Sequence, residues 1–295
     1  MRVLTILLSA FAQPLLAGEC PPQGFDRAAL ETLKGSKFEL SDTSRRQKLA
    51  LALLPCLSDP DPGLRDGIAF EAYYTWMRAK LLDLPTRTEL LAQLGDMLEA
   101  GQVDRGFRQP FAALVLAEVA RTDRVEPWLT PAQRNALIDS AALYVTSVRD
   151  YRGFDPKEGW RHGVAHGADL LLQLVLNPAV DRAGLDRLLG AVAAQVVPRG
   201  EHSYIYGESE RLARPVLFAA QRGLHTPDEW SAWLLAVASP APFENWNAAY
   251  ASNAGLARRH NVHAFVYALY ASARESDDPK IQSLVPGLSA VLKTL

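Results

Sequence analysis

Residues 159 to 169 read GWRHGVAHGAD and carry His162, His166 and Asp169 in an otherwise small and apolar stretch. On a helix, positions i, i+4 and i+7 share one face, so the two imidazoles and the carboxylate point the same way. Such a set could hold a metal, activate a water or brace the fold. Zinc takes three or four N, S or O ligands in tetrahedral array, and a histidine pair four residues apart supplies two of them. The candidate metal ligands are His162, His166 and Asp169, with His202, Glu208 and His263 as further sources for the third position. The residues between the histidines are Gly163, Val164 and Ala165, so the glutamate that acts as general base in H-E-x-x-H enzymes is missing and a mechanism of that type is excluded. The bland alternative is that both rings donate N–H groups to Asp169 or to loop carbonyls and pin the preceding loop. Gly163 and Gly167 alternate with the histidines, and glycine within a helix costs about 1 kcal/mol relative to alanine. That penalty predicts a close approach on this face, by a neighbouring helix or by a ligand.

Other candidates lie on either side. The loop DYRGFDPKEGW places Arg152 and Trp160 directly before the histidine helix, and loops above a rigid scaffold often carry function. Trp160 can stack on a sugar or peptide ring, or wedge into the core. In YGESERLARP, Glu208 and Arg211 stand at i, i+3 and are placed to pair at a helix start. Glu208 is the candidate catalytic base, or a plain helix-start carboxylate. Asn261, between His260 and His263 in HNVHAFVYALY, could complete a polar pocket. No P-loop, G-x-G-x-x-G, G-x-S-x-G or CxxC occurs, so nucleotide, hydrolase-elbow and redox readings have no local support.

The elements that must position these side chains are helices. Helical periodicity predicts them over 26–34, 43–57, 62–82, 87–100, 108–121, 131–149, 160–176, 181–196, 204–222, 227–238, 246–257, 260–274 and 279–293. Caps mark several starts, as at Asp42, Thr130 with Pro131, and Thr226 with Pro227. No run of alternating β-branched residues argues for strands. The expected fold class is all-α, an α/α superhelix of stacked antiparallel helical hairpins of HEAT or armadillo type. DPDPGLRDGIAF (59–70) has the Asp/Pro turn and following arginine of such a repeat. Polar groups recur near later helix starts, at Arg108, His162, Glu208 and His263, at spacings close to two helices plus loops, near the period of roughly 40 to 47 residues. In alternating antiparallel pairs the inner helices run parallel, which would gather these starts along one rim.

GFDPKEGWRHGVAHGADLL, with Arg149, Asp150 and Arg152 before it, resembles a bacterial family called domain of unknown function 2785. The resemblance extends through RQPFAALVLAEVAR (108–121), GESERLA (207–213) and HNVHAFVYALY (260–270). It implies a helical superhelix and carries no catalytic assignment.

The 48% apolar and 22% charged composition is that of an ordinary globular chain, and its 295 residues suffice for one continuous core. A net charge of −2 without a basic cluster argues against nucleic acid as partner. MRVLTILLSAFAQPLLAGEC has the layout of a secretory signal, too short for a membrane span. The expected organisation is a signal over residues 1–18 and a single helical-repeat domain over 19–295, exported to the periplasm or secreted. The two cysteines, Cys20 and Cys56, would then meet an oxidising compartment and form a disulfide worth about 3 kcal/mol.

Two functions remain open. One is a binding protein whose rim, formed by Arg152, Trp160, His162, His166, Asp169, Glu208, Arg211 and Asn261, grips a peptide, protein or small polar ligand. The other is a hydrolase of an envelope substrate in which the histidine pair holds a divalent metal such as zinc and Glu208 activates water.

Overall fold

The structure, a computed structural model, describes residues 19–101 and 105–295, so the signal assigned to residues 1–18 lies outside the described residues. Helices dominate: α1 (Arg27–Gly35), α2 (Thr43–Ala52), α3 (Pro62–Leu64), α4 (Glu71–Arg78), α5 (Leu84–Glu99), α6 (Arg108–Val125) and α7 (Pro131–Ser147). They continue as α8 (Gly163–Val175), α9 (Arg182–Val196), α10 (Glu208–Arg222), α11 (Pro227–Val237), α12 (Asn253–Arg274), α13 (Pro279–Gln282) and α14 (Val285–Leu292). The starts are fixed by short polar side chains that satisfy otherwise orphaned N–H groups. Asp26, Asp42, Asp83 and Asp181 each accept from an N–H in the first turn, and Thr130 with Gln133 and Thr226 with Glu229 form full capping boxes.

Packing follows an alternation. The inner helices α4, α6, α8, α10 and α12 each lie against the next in that series, while α2, α5, α7 and α9 do the same on the outside. Inner and outer layers meet through pairs such as α5 with α6, α7 with α8 and α9 with α10. This is an all-α fold of stacked helical hairpins, in which each layer buries the apolar face of its neighbour. Helix α6 sits at the centre, with Phe111, Ala112, Val115, Leu116 and Val119 all buried, so it is apolar nearly all round. Among the described residues, no helix is long and apolar enough to cross a membrane.

The sequence reading is corrected at several elements, among them 43–57, where α2 ends at Ala52 ahead of a 3-10 turn, and 279–293, which divides into α13 and α14. The helix expected over 62–82 is interrupted by a wider π-type stretch, Arg65–Phe70, before α4. The helix expected from 160 begins at Gly163, because His162 takes the left-handed region at φ 58° and residues before it form a hairpin. In that hairpin β1 (Phe154–Asp155) pairs antiparallel with β2 (Gly159–Trp160). The helix expected from 204 begins at Glu208, since Gly207 turns the chain at φ 82°, a conformation suited to glycine. Finally, 246–257 and 260–274 are not two helices: α12 runs unbroken over Asn253–Arg274, capped by Ser252.

Cys20 and Cys56 are joined, with Cα atoms 5.1 Å apart, and tie the chain ahead of α1 to the turn after α2. Their sequence separation is 36 residues. Closing a loop of that size is expected to be worth about 3 to 4 kcal/mol. Urea denaturation with and without reductant measures it; an unchanged midpoint after verified reduction would mean that the bridge constrains nothing the fold does not already hold.

Candidate functional site

A cleft of about 620 Å³ opens between the inner helices. Its walls come from the π-type stretch and α4 (Asp66, Phe70, Tyr74, Arg78), from α6 (Leu114, Ala117, Glu118), from Trp160 and α8 (His162, His166, Asp169, Leu172, Gln173), and from α10 (Arg211, Arg214). The parallel run of the inner helices gives it two unlike ends. Near the helix starts it is aromatic: Trp160 stacks on the His162 ring at 4.5 Å, meets Phe154 at 5.1 Å and turns its edge to Tyr206 at 5.8 Å. Further along it is charged: Arg78 reaches Glu118 through two bonds of 2.8 and 3.0 Å, and Arg211 holds both oxygens of Asp169 at 3.1 and 3.2 Å.

The histidines differ in role. His162 Nε2 donates to the Tyr206 carbonyl at 3.0 Å, which fixes its neutral tautomer and leaves Nδ1 without the proton. Burial lowers its pKa, and the Tyr206 bond opposes that only in part. His166 is 6% exposed and lies edge-on to Phe111 at 5.1 Å. Desolvation, then repulsion from His162 and Arg211, pushes its pKa down to about 3. Its Nδ1 has no hydrogen-bond partner. Asp169 moves the other way: burial raises its pKa to about 6, against the pull of Arg211 and Arg214. Gly167 explains the glycine spacing, because a Cβ there would stand 2.7 Å from Val145 Cγ2 and 3.1 Å from Tyr144 Cε1. The close approach is that of the outer helix α7.

Five expected site residues therefore share one cleft: Trp160, His162, His166, Asp169 and Arg211. Three do not. Arg152 pairs with Asp150 and donates to the Arg105 carbonyl at 3.1 Å, outside the cleft. Glu208 is 2% exposed and accepts the Tyr206 N–H at 2.8 Å, so it folds back on its own helix start instead of pairing with Arg211. Asn261 is fully buried, its Oδ1 accepting from Tyr204 N at 2.8 Å and its Nδ2 donating to the His202 carbonyl at 2.9 Å. Both are positioning groups: they hold the segment 202–206 that orients His162. The cause is the same in each case, since a buried polar group must find a hydrogen bond and the nearest backbone supplies it. The expected single rim also divides, with Arg108 lining a separate cavity of about 240 Å³ with Arg149 and Asp150. His263 is turned toward the C-terminal Leu295 and Tyr267.

Among the described residues, no three His, Cys, Asp or Glu side chains meet in a group able to hold a metal ion. His162, His166 and Asp169 share a wall without converging, and the Asp169 carboxylate is taken by Arg211.

One wall residue is anchored by a group the periodicity placed only loosely. Arg65 is fully buried, its guanidinium between the Phe107 and Phe111 rings at 3.9 and 4.8 Å. It donates to the carbonyls of Asp59 at 2.9 Å and Glu158 at 2.7 Å, and pairs with Asp66 at 2.7 Å. Arg161 lies over the same Phe107 ring and binds Glu158 and the Arg105 carbonyl. Together they clamp the hairpin that carries Trp160 onto the first hairpins of the stack.

The match to known families bears on the same region. A family model described as Protein of unknown function (DUF2785) matches residues 94–271, more than half of the chain. The chain belongs to that family. The DUF2785 match covers the α6, α8 and α10 walls and the Trp160 hairpin, while Asp66, Phe70, Tyr74 and Arg78 come from before it. Searches of the curated proteins and of the solved structures find no match for this DUF2785 chain. The polar cleft residues that escaped the sequence reading include Tyr74, Arg78, Glu118, Gln173 and Arg214. Two left a signal, since Glu118 is the lone charge within the apolar run of α6 and Arg214 stands at i+3 from Arg211.

Proposed function

We propose that this DUF2785 protein is an exported helical-repeat binding protein that takes a peptide, protein segment or small polar ligand in the cleft between its inner helices. The observation that carries the reading is the cleft itself: about 620 Å³, with an aromatic shelf at one end and charged walls at the other. Ligand sites are concave, mostly preformed and combine apolar surface with a few polar groups, and a cleft holding two strongly perturbed titratable groups fits that pattern. Export is supported by the leader-like first residues and by the Cys20–Cys56 bridge, which suits an oxidising compartment. A metal-assisted hydrolase draws less support, because Glu208 is enclosed away from the cleft.

The test is a thermal-shift screen of the full chain against short peptides, sugars and organic acids, repeated with Leu114→Trp, which fills the cleft. A true ligand raises the melting temperature of the parent protein and not of the filled variant, and Trp160→Ala weakens its binding at least tenfold. If no compound distinguishes the parent from the filled variant, the cleft is not a binding site.

A further inference from the structure

The charges of the cleft do not cancel. Arg78 is committed to Glu118, Arg211 to Asp169, and Asp66 to the buried Arg65. Arg214 is exposed on the same wall, and among the described residues it makes no ion pair or hydrogen bond. Its neighbour Arg211, one turn earlier on α10, shares its charge between Asp169 and the open cleft. With both histidines held neutral by burial, the charged end therefore carries an uncompensated positive charge. That end calls for an anion.

Two further polar atoms along the α8 wall are unsatisfied. His166 Nδ1 and Gln173 Oε1 are both buried without a hydrogen-bond partner. Buried polar groups in native proteins are nearly always paired, and both residues belong to the cleft wall, so a donor entering there completes them once the side chains turn toward it. A carbonyl oxygen such as Gln173 Oε1 can be satisfied only by a donor, an N–H or O–H group. The other end offers planar aromatic surface at Trp160, 37% exposed and backed by His162. The distance between the ends follows from helix geometry: from Gly163 to Gln173 the chain rises about 1.5 Å per residue, on the order of 15 Å. An extended peptide of roughly four to five residues, at 3.3–3.6 Å each, spans that length.

Resting on the cleft reading above, we infer that the ligand is a short extended peptide with a free C-terminal carboxylate. Arg214 and Arg211 hold the carboxylate, backbone N–H groups face the α8 wall, and an aromatic or apolar side chain lies on Trp160. A guanidinium receives a carboxylate through two parallel N–H bonds, which gives the site direction as well as affinity.

The experiment is calorimetric titration of the full chain with N-acetyl-Phe-Ala-Ala-Ala as the free acid and as the C-terminal amide, and with an oligogalacturonate of similar length. The free acid is expected to bind at least tenfold tighter than the amide. In Arg214→Gln, at an exposed position, that gap falls below threefold. Trp160→Ala weakens acid and amide alike. Equal binding of acid and amide, or a gap that survives in Arg214→Gln, overturns the carboxylate assignment and leaves the cleft reading standing. Tighter binding of the oligogalacturonate overturns the peptide assignment. If neither peptide binds, the inference falls, and the library screen with Leu114→Trp decides separately whether the cleft reading falls with it.

Discussion

Arg65→Ala is expected to destabilise the protein by about 3 to 5 kcal/mol, the range for removing one partner of a buried charged pair. The guanidinium is fully buried, so water does not replace it without rearrangement. Its loss strands the Asp59 and Glu158 carbonyls, removes a cation from between two phenylalanine rings, and leaves Asp66 without its cation. Burial already raises the pKa of Asp66 while Arg65 opposes the rise, so in the variant that carboxyl moves further toward its protonated form. For a domain of this size 1 kcal/mol shifts the melting temperature by about 2–4 °C, so a fall on the order of 10 °C is expected by calorimetry. Trp160 emission should shift as well, because the Glu158 carbonyl tie holds its hairpin. A loss under 1 kcal/mol would mean that the hairpin is secured by Arg161 and its partners alone.

The second large effect is a masked sensitivity to acid. His166 has a native pKa pushed down to about 3, so between pH 6.5 and 3 the unfolded chain binds a proton that the native protein does not, and stability falls as pH falls. Asp169, raised to about 6, does the opposite: between about pH 6 and 4 the native protein holds a proton that the unfolded chain has released, and stability rises as pH falls. The groups facing Asp169 are Arg211 and Arg214 from α10 and Glu118 from α6; those facing His166 are His162, Arg211, Arg65 and the Pro110 carbonyl. From pH 6 to 4 the two slopes cancel. Asp169→Asn unmasks His166 and is expected to lose about 1.4 kcal/mol per pH unit relative to the parent, nearly 3 kcal/mol over that window. His166→Asn should gain relative to the parent over the same window. Urea denaturation at pH 4, 5, 6 and 7 reads both. An Asp169→Asn profile parallel to the parent would show that Asp169 holds no proton at pH 5.

Much of the architecture is legible in short-range patterns. Aspartate and threonine caps, with proline at the first helical position, mark helix starts, and the structure keeps most of them. The glycine spacing of GWRHGVAHGAD points to a close approach, of which α7 proves to be the source, and its histidine face becomes a cleft wall. What stays hidden is long range. Nothing local in LRDGIAF indicates that Arg65 bonds a carbonyl at residue 158, and nothing in GESER reveals that Arg211 turns to Asp169 while Glu208 caps its own turn. The hairpin at 154–160 is missed because two residues per strand are too few to establish a period. The two helices expected over 246–257 and 260–274 give way to the single α12, in which Arg258 and Arg259 reach carbonyls at Ser239 and Leu295.

The clamped hairpin also sets the mechanics of the stack. Hairpins bonded only to their nearest neighbours behave like the coils of a spring, able to wind and unwind under load. Here one loop is fastened at Glu158 to the start of the chain through Arg65, and beside it His162 grips the segment leading into α10 through the Tyr206 carbonyl. A strut across several coils removes their independent torsion. The groove between them is thereby held by ties that oppose relative rotation of its walls.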